Sequence, residues 1–392
     1  MNLVYSYRNG RDMGRKAGEL IRSDRGYDVF IPNPLPPEIA YDDELHFLLS
    51  KADAALARLD GVTEVLPNPD IFVAMYVKKE ALLSAQIEGT QVSLQGVLEF
   101  EANLKPKEDL RDIREVINYI RAMNFGIEQL RKGDLNLALI NESHKTLITG
   151  TRGSDKNPGQ YKDKQNFLGT PGGSIFQAAF IPPPPEKIED LMRELEAFIR
   201  KKDRLPVLIK TALIHAQFET IHPYLDGNGR MGRLLITYYL YWTKSLSRPL
   251  LYLSFYLKKY KPEYAEHLNG VRFHDTWEAW LKFFLKGVIE VSENAIQSAR
   301  EIIALKENSI KKLIENKVGG THAIQLLDLL FDTPTVSIRE VADKLKISPV
   351  AANKLVNRMA GLGILQEITG KERYQRFAFV DFIRIIEKGT RV

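Results

Sequence analysis

The stretch His222-Pro223-Tyr224-Leu225-Asp226-Gly227-Asn228-Gly229-Arg230-Met231-Gly232-Arg233 holds the densest set of reactive groups in the chain. An imidazole such as His222 accepts a proton near neutral pH. Asp226 offers a hard oxygen of the kind Mg2+ takes from a protein, one or two carboxylates beside substrate phosphates. Gly227 and Gly229 let backbone N–H groups approach an anion, and a helix N-terminus behind them favours negative charge. Arg230 and Arg233 are three residues apart, so both can project from the first turn of that helix toward one ligand. Base, metal ligand, anion cradle and two guanidinium groups are the parts of a phosphoryl or nucleotidyl transfer site. Gly227-x-Gly229-x-x-Gly232 also has the spacing of a dinucleotide fingerprint, but that fingerprint follows a strand. Here Ile209, Ala212, Leu213 and Ala216 precede it at helical spacing, and the ending of a P-loop is missing.

The elements that must position these groups read as helices. Leu45, Leu48, Leu49, Ala52 and Leu56 fall on one face from Asp42 onward. Asn68-Pro69-Asp70 breaks the chain and offers an N-cap, and a second helix from about Ile71 ends near Glu88-Gly89, where glycine can stop it. Further helices are expected at Leu110–Lys132, Asn136–Ile148, Glu186–Arg200, Pro206–Ile221 and Arg230–Leu246. Ile31–Ile39 is too rich in proline for a regular helix and reads as an extended arm. Thr149–Pro185 is dense in glycine and proline around the apolar run Phe176–Ile181, which reads as a loop and a short hairpin. A long amphipathic stretch from Thr276 to Asn316 ends at Val318-Gly319-Gly320, the best linker. The remainder reads as helix, helix, turn, helix and hairpin, with a turn at Gly370-Lys371.

The chain has 392 residues, which suggests two or three domains, and 44% hydrophobic with 27% charged residues suits a globular protein. No apolar run reaches the ~18–20 residues that cross a bilayer, and Met1–Gly10 lacks the apolar core of a signal peptide. With no cysteine, disulfides, thiolate catalysis and cysteine metal sites are excluded, which fits a cytoplasmic location. The net charge of +5 permits phosphate contact without demanding nucleic acid.

The stretch from His222 to Arg233 resembles the signature of the Fic (filamentation induced by cAMP) family: His, Pro, an aromatic, any residue, Asp or Glu, Gly-Asn-Gly-Arg, two residues, Arg. The fold this implies is mainly α: an all-helical Fic core with a short β-hairpin flap, an N-terminal helical cap and a C-terminal winged helix-turn-helix domain. The expected divisions are 1–110 for the arm and cap, 111–290 for the catalytic domain, 291–320 for a linker helix and 321–392 for the winged domain. The activity implied is protein adenylyltransfer (AMPylation). His222 takes the proton of a target hydroxyl, the oxygen attacks the α-phosphorus of ATP, and Mg2+-pyrophosphate leaves. Asp226 holds the metal. Asn228 and the backbone of Gly227 and Gly229 bind phosphate oxygens, Arg230 serves the α and β phosphates, and Arg233 serves the γ-phosphate. The expected ATP-binding set also takes in Met231, Gly232, Thr237 and Tyr264, with Trp277 lining the pocket. His215, without such a context, is expected in the core or behind the site.

Ser84-Ala85-Gln86-Ile87-Glu88-Gly89 resembles the family's inhibitory helix, so Ser84, Glu88 and Gly89 form an expected regulatory element. Glu88 would pair with Arg233 and stand where the γ-phosphate belongs. The same glutamate supports AMP removal in some relatives, a reverse role that stays open, as does transfer of another phosphate-linked group. Gln177, Ala178, Ala179 and Phe180, after Gln165-Asn166-Phe167-Leu168-Gly169, resemble the flap whose edge pins a target segment by strand pairing. In the tail, Pro349–Leu362 would be a recognition helix offering Asn353, Lys354, Asn357 and Arg358, with Lys371, Arg373 and Arg376 on a wing. Thr321–Val392 carries 11 Lys/Arg against 8 Asp/Glu, a net of +3 that is mild for a DNA binder. The tail therefore docks DNA or protein, and a nucleotide-sensing DNA-binding regulator is the rival reading. The expected partner is a target protein. Related proteins often dimerise, so a homodimer is a further expectation, and self-modification is compatible with the same chemistry. No membrane partner is expected.

Overall fold

A computed structural model describes residues 17–62, 64, 69–101, 107–170, 172–318, 320–371 and 374–388. Asn68, Gly319, Arg373 and the Met1–Gly10 segment therefore lie outside the described residues. The chain enters through a hairpin the sequence did not announce, β1 (Gly18–Arg22) and β2 (Asp28–Pro32), paired antiparallel from Gly18 with Pro32 to Arg22 with Asp28. The proline-rich arm follows without helix or strand from Asn33 to Asp42. The helices α1 (Asp43–Val62) and α2 (Pro69–Ile87) come next. In α1 the buried residues Leu45, Leu48, Ala52, Ala55, Leu56 and Leu59 form the stripe that the spacing predicts. α2 ends as expected at Gly89, whose φ of 96° places it in the left-handed region. A short α3 (Leu94–Glu101) leads to α4 (Leu110–Leu130) and α5 (Leu137–Ile148). Asp109 and Asn136 cap α4 and α5 by accepting from the amides of Arg111 and Leu139.

After the irregular segment come α6 (Pro185–Arg200), α7 (Val207–Ile221) and α8 (Asn228–Trp242). Pro185 sits in the first turn of α6, where its missing N–H costs nothing. Every residue of α7 from Leu208 to Ile221 is buried, so this helix runs through the interior with no solvent face. Two shorter helices, α9 (Leu253–Lys259) and α10 (Lys261–His274), precede α11 (Trp277–Glu315). With 39 residues α11 is about 58 Å long at 1.5 Å per residue. It starts in the core, packs along α1 and crosses the division expected at residue 290 without a break. Residues 291–315 of the linker helix expected at 291–320 are therefore the outer part of one continuous helix.

The tail is built from α12 (Thr321–Asp332), β3 (Thr335–Ser337), α13 (Ile338–Leu345), α14 (Pro349–Gly361), β4 (Gln366–Glu367), β5 (Arg376–Ala378) and α15 (Val380–Glu387). Its sheet runs in the order β3-β5-β4. Ser337 and Glu340 form a capping box on α13, and Ser348 with Pro349 starts α14, giving the helix-turn-helix. Asn353, Lys354, Asn357 and Arg358 of α14 are exposed, as the recognition-helix reading requires. Arg376 is a correction: it is buried in the central strand and faces Glu340, so it does not belong to an exposed wing. α15 packs on α2 and α11, which seats the tail against the body. No helix among the described residues is long and apolar enough to cross a membrane.

Candidate active site

α7 stops at His222 because the next residue is proline and because His222 itself turns into the left-handed region, at φ 50° and ψ 60°. A non-glycine residue pays for that conformation, and such strain collects at functional sites. The loop that follows is braced from three sides. Asn228 Oδ1 accepts from the Tyr224 amide at 2.9 Å, and its Nδ2 donates to the Tyr224 carbonyl at 2.8 Å. Asn166 Nδ2 donates to the same carbonyl, and the amide of Lys162 donates to Pro223 O at 2.8 Å. The Tyr224 ring stacks on His144 with centroids 3.6 Å apart, and its hydroxyl donates to Asn141.

His144 holds the metal-ligand candidate in place. The Gly159 amide donates to its Nδ1 at 3.0 Å, so the proton is on Nε2, which donates to Asp226 O at 2.9 Å. Burial draws the His144 pKa down to about 4, so the ring is neutral. Gly153 leaves room for the Asp226 carboxylate, which a Cβ at that position would meet at 2.7 Å. That carboxylate is half-exposed, and Arg230 Nη2 lies 3.5 Å from it. Among the described residues no group of three His, Cys, Asp or Glu could hold a metal alone.

Gly227 opens α8 at φ 77°, and no side chain caps the helix. The free amides of a first turn carry partial positive charge. Arg230 adds a buried guanidinium whose Nε and Nη1 make no hydrogen bond among the described residues. Its nearest carboxylates, Glu115 and Asp226, stand back at 3.6 and 3.5 Å. Buried donors left in this way await an acceptor.

Arg233 is already engaged. Its Nε donates to Ser84 Oγ at 2.8 Å, and its Nη2 donates to Ser84 O at 3.0 Å and to Glu88 Oε1 at 2.6 Å. Burial pushes the Glu88 pKa up, but the Arg233 guanidinium, helped by Arg230 and Lys261, brings it below the usual range. The Glu88 carboxylate lies against Gly229, where a Cβ would collide with it. Lys261 Nζ donates to the Ile87 carbonyl and so closes the end of α2.

The other expected positions divide. Tyr264 is buried beside the stretch, and its hydroxyl donates to His215 Nε2 at 2.8 Å, because His215 Nδ1 donates to the Gly232 carbonyl. His215 is thus directly behind the site, neutral, with its pKa drawn to about 3 by burial. Thr237 is buried one turn beyond Arg233, and Trp277 is buried with an indole N–H that has no acceptor among the described residues. Met231 is fully buried in the core, so its side chain has no access to a ligand. The Asn228 side chain bonds both the amide and the carbonyl of Tyr224 and so shapes the loop.

The flap is slighter than expected. A single antiparallel bridge joins Leu168 to Phe180, closed by a 3-10 turn at Ile175–Gln177. The amides of Gln177, Ala178, Ala179 and Phe180 all donate within this turn and bridge. Phe180 is buried, and the amide of Phe30 in β2 donates to Ile181 O. These four residues therefore offer a target no free amide edge. Phe176 and Gln177 are exposed.

Asn228→Ala is expected to leave the Tyr224 amide without its partner, a loss of about 1–3 kcal/mol. The melting temperature then falls by roughly 2–4 °C per kcal/mol, and thermal denaturation of the variant beside the parent checks it.

Comparison with known proteins finds three matching regions. Residues 46–128 match the Fic/DOC family N-terminal model, 134–240 the Fic/DOC family model and 324–379 an HTH DNA binding domain model. Residues 46–128 and 134–240 thus carry the two Fic/DOC family domains, followed by an HTH domain. The chain is 28% identical over 166 residues to a probable protein adenylyltransferase of Aquifex aeolicus, a match covering 42% of this chain and 48% of the relative. It is 24% identical over 231 residues to protein adenylyltransferase fic-1 of Caenorhabditis elegans, covering 57% and 41%. The chain thus spans about half the length, or less, of the curated relatives it matches. Among solved structures, a Fic family protein from Desulfovibrio desulfuricans G20 superposes with a TM-score of 0.57 at 20% identity, over 88% of this chain and 98% of the other. A Fic domain containing signaling protein from Bacteroides thetaiotaomicron superposes at 0.51 and 18% identity, over 66% and 97%. At these identities the likeness is one of fold.

Proposed function

We propose that this chain is a protein adenylyltransferase restrained by its own Glu88. The observation that carries the reading is that one short loop joins His222 to the uncapped start of α8, whose first turns carry the unsatisfied Arg230 donors and the Arg233–Glu88 pair. The names of the Aquifex and Caenorhabditis relatives favour adenylyl transfer. The His222 imidazole takes the proton of a target hydroxyl. That oxygen bonds to the α-phosphorus of ATP as the bond from this phosphorus to the β-bridging oxygen breaks, and pyrophosphate leaves. The Gly227–Arg230 turn and its guanidinium neutralise phosphate charge, which is where such transfers gain most of their rate. The Asp226 carboxylate would hold Mg2+ beside the substrate phosphates, where the ion would supply positive charge to the departing pyrophosphate. Exposed Phe176 and Gln177 face the target segment.

The test uses Mg2+ and ATP labelled at either the α or the γ phosphate. Protein-bound label from the α position alone is expected. Label arriving only from the γ position would instead mean kinase chemistry. Label from neither, in the wild type and in Glu88→Gly alike, would favour a regulator that only senses nucleotide.

We further propose that the tail contacts DNA, because the region matches an HTH DNA binding domain and α14 presents Asn353, Lys354, Asn357 and Arg358 outward. A gel shift with genomic fragments is expected to weaken as salt rises, and Lys354→Ala to lower the slope of log K against log salt by about one. A shift that salt does not change would point to a protein-docking tail.

A further inference from the structure

Arg272 is a buried charge that the proposed reaction leaves unused. It stands on α10 with 4% of its surface exposed, and a guanidinium in that position is costly unless its donors are used. Three are. Nη1 donates to Asn269 Oδ1 on its own helix at 3.1 Å, Nε to Thr220 Oγ1 at 3.2 Å and Nη2 to the Glu219 carbonyl at 3.0 Å. The last bond repairs a defect written in the sequence. A helical carbonyl accepts from the amide four residues ahead, and four ahead of Glu219 is Pro223, which has no N–H. Arg272 supplies the missing donor three residues before His222.

The other side of the same guanidinium lies on the flap. Its central carbon is 3.9 Å from the centroid of the Phe180 ring, a cation–π distance. Phe180 is the residue bridged to Leu168, and its ring is flanked by Phe30 from the N-terminal hairpin and Phe273 from α10. One side chain therefore touches both the last turn of the helix that ends in the base and the foot of the segment that would hold the hydroxyl. Among the described residues, the hydrogen bonds of Arg272 go to Thr220, Glu219 and Asn269, and none goes to Arg233, Glu88 or the start of α8.

We propose that Arg272 is a positioning residue that sets His222 against the flap, so that the base and the target hydroxyl keep their distance during transfer. This rests on the adenylyl-transfer reading, and displacements near 1 Å are enough to cost such a reaction two orders of magnitude. On this proposal nucleotide binding stays with Arg230, Arg233 and the start of α8.

The experiment compares Arg272→Lys, Arg272→Met and Phe180→Leu in the Glu88→Gly background. It measures self-labelling from α-labelled ATP, ATP affinity by calorimetry, and the His222 ring signal by NMR, assigned with His222→Ala. Arg272→Met is expected to lower labelling about 30- to 100-fold with ATP affinity within about twofold. Its His222 ring signal moves and titrates at higher pH, because one neighbouring cation is lost while Lys162 remains. Lysine restores part of the rate. Phe180→Leu lowers labelling while the His222 signal stays in place, since the Thr220 and Glu219 bonds survive. Labelling at the parent rate in Arg272→Met, or an unmoved His222 signal, overturns the proposal. A parent that does not label at all counts against adenylyl transfer, and the ring signal then still decides whether Arg272 places the imidazole.

Discussion

Changing His222 to alanine in the Glu88→Gly protein is expected to remove protein-bound α-label, a loss of about 10²–10⁴-fold. ATP affinity should stay close to the parent value, because Arg230, Arg233 and the start of α8 are untouched. The size follows from the position of the imidazole. It sits half-buried at the end of an internal helix, beside the loop that joins Asp226 to the uncapped start of α8. Burial first, then the charges of Lys162 and Arg272, draw its pKa down to about 3, against the pull of the Glu219 backbone. In the proposed reaction the neutral ring is the base, so a lowered pKa moves the acid limb of the rate downward. Transfer should therefore hold its level from pH 8 to pH 6. An imidazole at the ordinary value near 6.5 would be about three-quarters protonated at pH 6 and lose most of its rate. Initial rates across that range check the sign, and a half-maximum at pH 6.5 would show that His222 is not held as described.

The reactive stretch was legible because its chemistry is local: base, carboxylate, glycines and guanidinium groups lie within twelve residues, and one loop followed by one helix start brings them together. The long helices were legible for a similar reason, since α1 and α6 declare themselves by an apolar stripe. What escaped is held together across the chain. Asn141, His144, Lys162, Asn166 and Arg272 act on the loop or on α7 from other elements, and a single histidine or arginine within a helical pattern gives no sign of it. The short helices α3, α9 and α15, of 8, 7 and 8 residues, are too brief for periodicity to stand out. The flap was overread. Phe176–Ile181 has the apolar character of a strand, yet Pro182–Pro185 removes four amides in a row and Gly172-Gly173 loosens the other side, so pairing stops after one bridge. Alternation in the tail could not tell that Arg376, in the central strand of three, points inward.

Glu88→Gly is expected to raise α-label on protein about 10- to 100-fold over the wild type. The carboxylate holds Arg233 Nη2 at 2.6 Å and fills the space beside Gly229 at the mouth of α8. On the proposed reading an incoming triphosphate displaces it before its terminal phosphate reaches that guanidinium. A charge-assisted hydrogen bond is worth about 1.5–3 kcal/mol, and each 1.4 kcal/mol is a factor of ten. The upper part of the range for buried pairs does not apply, because the Glu88 side chain is 40% exposed. Removal should not undo the scaffold around it: Arg233 keeps both bonds to Ser84, and residue 88 lies past the last helical residue of α2, where glycine carries little penalty. Glu88→Gln separates charge from bulk. It keeps the side chain's volume against Gly229 and loses the ionic attraction, so its labelling should fall between the wild type and the glycine variant. Equal labelling by wild type and Glu88→Gly would mean that the pair with Arg233 restrains nothing, and the helix that carries it would then be a structural cap alone.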